Sequence, residues 1–189
     1  KQITGVRYHL RRGDSAQIHK LLHSGSVRLG FVGAMLEPDS MTYFPMLEDH
    51  LVMCTANNPH YQALKKQNVY GRDLLREPTV AREEGSGTDR TVQSYMRNMG
   101  LADQDLHIVA RVDDPEAIKR MTAQGVGVSV LSALSVASEV DDGRLLTFPM
   151  DPQGLHRSIY LVYPRETILS QSEQAFVRFC RQMAIRRNL

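Results

Sequence analysis

Strand-like and helix-like segments alternate along almost the whole chain, and this alternation limits the fold more than any single motif does. Thr4 to Leu10 reads as a strand, and Arg12-Gly13-Asp14 breaks it. Asp14 or Ser15 then caps a helix that carries Ile18, Leu21 and Leu22 on one face and closes at Ser24-Gly25. Val27 to Gly33 is a short apolar strand. Thr42 to Leu47 and His50 to Thr55 are two more, split by the polar pair Glu48-Asp49. Ala56-Asn57-Asn58-Pro59 is a turn-rich connector. After it come short helices over 61–67 and 71–76, a strand over 78–82, and a helix from Asp89 to Met99 that stops at Gly100. Strands over 106–112, 125–131, 144–148 and 157–163 then alternate with helices over about 114–123, 133–140 and 170–185. The pattern predicts an α/β fold with largely parallel sheets. In such sheets ligands bind at the carboxyl ends of the strands, so the residues just after strands are the ones to test.

Composition narrows the class. The chain has 189 residues, 42% hydrophobic and 23% charged, which excludes collagen-like, mucin-like and wholly disordered readings. A chain this long buries about 70% of its unfolded surface and needs no disulfide or metal staple. It is one large domain or two small lobes. A formal net charge of +2 leaves no footprint for nucleic acid over the chain as a whole. Cys54 and Cys180 each sit in an apolar run and read as reduced core residues of a reducing, cytoplasmic compartment. No run of 18 apolar residues and no signal peptide is visible, so no membrane partner is expected. The first residue is Lys1, which suggests excision from a longer protein.

The segment Arg82-Glu83-Glu84-Gly85-Ser86-Gly87-Thr88 carries the most chemistry. It follows a strand and opens a helix. Two glycines let the backbone turn, and the free amides of the helix start, with the Ser86 and Thr88 hydroxyls, suit an anion. A plain N-cap on a loop is the competing reading. Ser86 does not fit a nucleophile elbow, because Glu84 and Thr88 stand where glycines are needed. Gly125-Val126-Gly127 lacks the third glycine of a dinucleotide fingerprint and reads as a helix-to-strand turn. His19 and His23 share a helix face, but Lys20 replaces the glutamate of a zinc-protease motif; a solvated face is expected, and no metal. His9, His50, His60, His107 and His156 show no ligand spacing. The adjacent pairs Glu83-Glu84, Asp113-Asp114 and Asp141-Asp142 give no acid–base couple. No catalytic residue and no cofactor motif emerges.

Four runs appear in order along the chain: Gly13-Asp14-Ser15; His23-Ser24-Gly25-Ser26-Val27-Arg28-Leu29-Gly30-Phe31-Val32-Gly33; Arg82 to Thr88; and Gln124-Gly125-Val126-Gly127-Val128-Ser129-Val130-Leu131. With Glu139 to Leu145, which is similar to an "acid, x, x, x, Gly, x, Leu" ending, they resemble the effector-binding domain of LysR-type transcriptional regulators. The resemblance implies two Rossmann-like α/β lobes joined by two crossover strands, in the manner of type II periplasmic binding proteins. Lobe one would comprise 1–54 and 147–189 and be incomplete at its N-terminus, and lobe two 55–146. The crossings would fall near Met53 to Thr55 and Leu145 to Pro149.

In that family a small, anionic effector sits between the lobes and biases their angle. The effector-binding residues it implies here are Ser86, Gly87, Thr88 and Gln124 on lobe two, and Asp14 or Ser15 with Gly33 and Ala34 on lobe one. Self-association as a dimer or tetramer, and DNA binding through an N-terminal helix-turn-helix that this chain does not contain, complete the expectation. Three positions depart from the family pattern: Arg28 where aspartate is usual, Asp89 before Arg90 after Ser-Gly-Thr, and Ser132 in place of a frequent proline. The alternatives are a free-standing solute-binding protein of the same architecture and a small hydrolase using Ser86.

Overall fold

A computed structural model describes residues 6–187, and the side chains within that range except those of 103, 186 and 187. The chain divides into two compact units, 1–48 with 158–189, and 49–157. The division therefore falls at Glu48/Asp49 and Arg157/Ser158, so 49–54 and 147–157 belong with the second unit. Strand pairing explains this. Residues 51–56 are hydrogen-bonded to 129–132 and 145–149, inside the second unit's sheet.

The first unit contains α1 (Ser15–His23), β1 (Gly30–Val32), the first half of β2 (Met41–Ala56), most of β7 (Leu155–Pro164) and α6 (Gln171–Arg187). β1 runs antiparallel to β7, with Gly30 opposite Val162. Period-two alternation on β7 sorts the core. Val162 packs with Ile18, Leu22, Val32 and Met41, while Leu161 packs with Val177 and Cys180 of α6. Asp14 begins α1 with a capping box: its carboxylate accepts from the Gln17 N–H at 2.7 Å, and the Gln17 side chain accepts from the Asp14 N–H at 3.3 Å. Asp14→Ala is therefore expected to cost about 1 kcal/mol in urea denaturation, whereas Asp14→Asn keeps the cap and changes little. Arg28 donates to Glu173 at 3.1 Å and to the Ile168 carbonyl at 2.7 Å, pinning the start of α6.

The second unit contains α2 (Pro59–Lys66), β3 (Thr79–Arg82), α3 (Gly87–Asn98), β4 (Ile108–Val112), α4 (Pro115–Ala123), β5 (Ser129–Ser132), α5 (Ala137–Asp141) and β6 (Leu145–Pro149). β3 and β4 are parallel, and Val128 makes a parallel bridge to Thr79. β5 and β6 both run antiparallel to β2. Val92 and Tyr95 of α3 pack over Met53, Val130 and Phe148. Ile118 of α4 packs with Cys54, Val80 and Leu131. Gly127 is a close approach: a Cβ there would strike the Pro78 carbonyl, which accepts from the Val128 N–H at 2.7 Å. That is the physical reason for a Gly-rich turn before β5.

Several expectations change. The α/β class stands, but β1–β7, β2–β5 and β2–β6 are antiparallel, so parallel pairing is the minority. Glu48-Asp49 does not break a strand. β2 continues for 16 residues because Asp49 turns inward to a buried ion pair instead of into solvent. Of the expected strand over 4–10, Thr4 and Gly5 lie outside the described residues, and 6–10 form no strand. Tyr8 and Leu10 are exposed, so that alternation has no core to face. The helix expected over 133–140 is only Ala137–Asp141. Cys54 and Cys180 are buried free thiols, and burial pushes the Cys54 thiol up to about 12, far from reactive. His19 is also buried, which corrects the solvated face expected for it. Tyr43 Oη accepts from the Glu37 N–H and donates to His19 Nε2 at 2.6 Å, and His19 Nδ1 donates to the Ser15 carbonyl at 2.5 Å. Of these two histidines only His23 faces solvent, where it pairs with Glu37 and holds that carboxyl below its ordinary range.

Candidate functional site

Ser86, Gly87 and Thr88 form the N-terminus of α3, directly after β3. Gly85 makes the turn at φ +78° that aims the helix start. Ser86 is the N-cap, its Oγ accepting from the Asp89 N–H at 3.2 Å. Asp89 folds back on the same loop. Its carboxylate accepts from the Gly85 N–H at 2.9 Å, from Gln93 at 3.1 Å and from Arg111 Nη1 at 3.3 Å. Asp89, standing where the family pattern has a basic residue, thus braces the turn, and Arg111 balances its charge.

Two donors at this helix start have no protein acceptor among the described residues: the backbone N–H groups of Gly87 and Thr88. Both residues are buried, with Thr88 only 4% exposed. Buried amides of this kind are normally satisfied by water or a ligand. Thr88 Oγ1 accepts from Arg157 Nη1 at 2.9 Å. With that bond made, the threonine O–H is turned outward as a donor. Ser86, whose Oγ accepts from Asp89, is in the same state. The helix start therefore offers two amides and two hydroxyls to one acceptor-rich group, with the helix dipole behind them.

Arg157 is itself fixed. Its Nε and Nη2 reach Asp49 Oδ2 at 2.9 and 2.8 Å, and the Ser132 hydroxyl donates to Asp49 Oδ1 at 2.7 Å. Asp49 is 2% exposed. Ser132, Asp49, Arg157 and Thr88 are thus one connected polar chain at the carboxyl ends of β3 and β5. Sequence reasoning missed Asp49 and Arg157, and it noted Ser132 only as a departure from proline.

Gln124 is not brought to this group. It is the exposed C-cap residue of α4, ahead of β5, whose lead-in pairs with the first residue of β3. It therefore lies at the opposite edge of the parallel layer from Ser86. Asp14, Ser15, Gly33 and Ala34 are in the first unit. There Asp14 is used in its capping box, Ser15 is buried, and Gly33-Ala34 form a half-buried bend after β1. No histidine is hydrogen-bonded to Ser86 among the described residues, so the arrangement a serine hydrolase needs is missing there. A cavity of about 40 Å³ lies under α3, lined by Met53, Leu75, Val92, Ile108, Val130 and Arg111 among others. It has room for water but not for a metabolite.

This chain is 28% identical to a protein of Anaeromyxobacter dehalogenans named Phosphonates import ATP-binding protein PhnC, across 94% of this chain and 35% of that one. It is 26% identical to the HTH-type transcriptional activator CmpR of Synechocystis, across 95% of this chain and 57% of that one. It thus spans about a third and just over half of these two relatives. The solved regulatory domain of CcmR from Synechocystis PCC6803, in complex with 2-PG, superposes with a TM-score of 0.77 at 25% identity, covering 90% of this chain and 80% of that one. The fold is that of these regulatory domains, the type II periplasmic-binding-protein-like fold. The family model for the LysR substrate binding domain matches residues 1–184, and the chain belongs to that family.

Proposed function

We propose that this domain senses a small anionic metabolite through the α3 N-terminus, and that it passes the signal to an N-terminal helix-turn-helix elsewhere in a cytoplasmic, self-associating, non-catalytic regulator. The carrying observation is the buried pair of Gly87 and Thr88 amides beside a Thr88 hydroxyl polarised by Arg157. A carboxylate, phosphate or sulfate meets those donors. The solved relative bound to 2-PG supports an anion of this size, and the named transcriptional activator among the relatives favours a regulator over a free-standing solute-binding protein. Asp14 or Ser15, with Gly33 and Ala34, are proposed as first-unit contacts. Gln124 is left out because of its place at the far edge.

The test is thermal unfolding against a panel of small anions, 2-PG and inorganic phosphate included, read by circular dichroism because the chain has no tryptophan. A ligand at about 100 times its Kd adds roughly 2.7 kcal/mol, a shift on the order of 5–10 °C for a chain this size. Thr88→Val is expected to remove the shift while leaving the fold intact. A shift that survives Thr88→Val places the ligand elsewhere.

A further inference from the structure

β2 and β7 are hydrogen-bonded neighbours, and their alternation separates side chains onto two faces. Asp49 and Leu51 turn inward and are buried, whereas Glu48, His50 and His156 are exposed. On that exposed face the His50 and His156 rings meet edge to face with centroids 4.4 Å apart. A ligating nitrogen of one ring lies within 4.8 Å of one on the other. Two nitrogens on a tetrahedral zinc ion stand roughly 3.3 Å apart, so a small rotation of the exposed His50 ring closes the gap.

The second observation is the turn that holds His156. Its Nε2 is 2.8 Å from the Gln153 carbonyl oxygen. A carbonyl only accepts, so Nε2 carries the proton and Nδ1 holds the lone pair. Metal-binding histidines are oriented in this way, by an N–H donated to a backbone carbonyl. The turn is built for it: Asp151 accepts from the Gln153 N–H at 2.9 Å, and Gly154 adopts φ +77°. A Cβ on Gly154 would come within 2.9 Å of His156 Nε2. Glu48 stands two residues before His50 on the same strand face, a carboxylate beside two imidazoles. Two nitrogens and one carboxylate oxygen suit zinc-class ions rather than magnesium or calcium.

We propose that His50 and His156, with the Glu48 carboxylate, form a surface site for a divalent transition-metal ion of the zinc class. The site is separate from the α3 helix start, on the opposite face of β2 from Asp49. The test is calorimetric titration of the tag-free chain with ZnCl₂. Saturable binding of one ion per chain is expected, with His50→Ala and His156→Ala each weakening it at least ~10-fold. Glu48→Gln weakens it less, and MgCl₂ gives no heat. His60→Ala and His107→Ala, exposed positions elsewhere, leave it unchanged. All these side chains are exposed, and an unchanged circular dichroism spectrum verifies the fold of each variant. Absence of binding, or binding that survives both His50→Ala and His156→Ala, overturns the proposal.

Discussion

Arg157→Met is expected to lower the unfolding free energy by about 3–5 kcal/mol in urea denaturation. The reason is the carboxylate it leaves behind. Asp49 is 2% exposed, and its Oδ2 accepts a hydrogen bond from Arg157 Nε with the positive Nη2 2.8 Å away. Without Arg157 the Ser132 hydroxyl is its remaining hydrogen-bond donor. Burying a charge with so little compensation costs more than losing an exposed pair, for which about 0–1 kcal/mol is usual. Adding Asp49→Asn to Arg157→Met is expected to recover part of the loss, since a neutral amide is cheaper to bury. The same substitution frees the Thr88 hydroxyl from its donor, so any anion shift seen with the parent chain should weaken. A loss of under about 1 kcal/mol, with no recovery in the double variant, would show that the pair does not hold the second unit together.

Arg157 also marks the limit of what the sequence discloses. Local signals were legible. A cap at Asp14 or Ser15, which the structure places at Asp14, and the Gly-rich loop that opens α3 are both set by neighbours within a few residues. The donors of the α3 N-terminus could be anticipated for the same reason. Asp49 could not. It sits beside Glu48, and two adjacent acids ordinarily mean solvent. Its partners Arg157 and Ser132 are 108 and 83 residues away. The same distance in sequence hid the meeting of His50 and His156, and with it the continuity of β2 through a polar pair. Strand direction was misread because alternation of strands and helices says what each segment is, not which strand receives it. β2 takes up both β5 and β6 as they return. The "acid, x, x, x, Gly, x, Leu" segment was legible as a pattern, but its use is a buried ion pair with a lysine that the pattern does not contain.

That pair gives the second large effect. Lys119→Met is expected to cost about 3–5 kcal/mol at neutral pH, because it strands Glu139. Lys119 Nζ lies 2.9 Å from Glu139 Oε1 and 2.9 Å from Glu116 Oε1, and it donates to the Ser135 carbonyl at 3.2 Å. Lys119 and Glu139 are 7% and 6% exposed, and methionine fills the lysine stem's volume without its charge. Burial works against both charges, yet the hydrogen bonds that Lys119 donates to Glu116 and Glu139 hold its pKa above its ordinary value. Burial likewise opposes Glu139, but Lys119 and Ser138 hold its carboxyl below the ordinary range. The signs fix the pH dependence. The lysine's contribution is complete below its unfolded value of 10.5 and is lost as pH rises through a folded value above that. The glutamate's contribution is complete above 4.5 and is lost as pH falls through a folded value below that. Between these limits the parent's pair contributes a constant amount. In Lys119→Met the stranded carboxyl has its pKa raised by burial, so acid neutralises it and relieves the penalty. The stability gap between parent and variant should therefore narrow as the pH is lowered from about 7 to about 4. Urea denaturation at both pH values measures that gap. A gap that stays constant, or widens in acid, would mean that Arg144, 3.6 Å from Glu139, carries the compensation instead of Lys119.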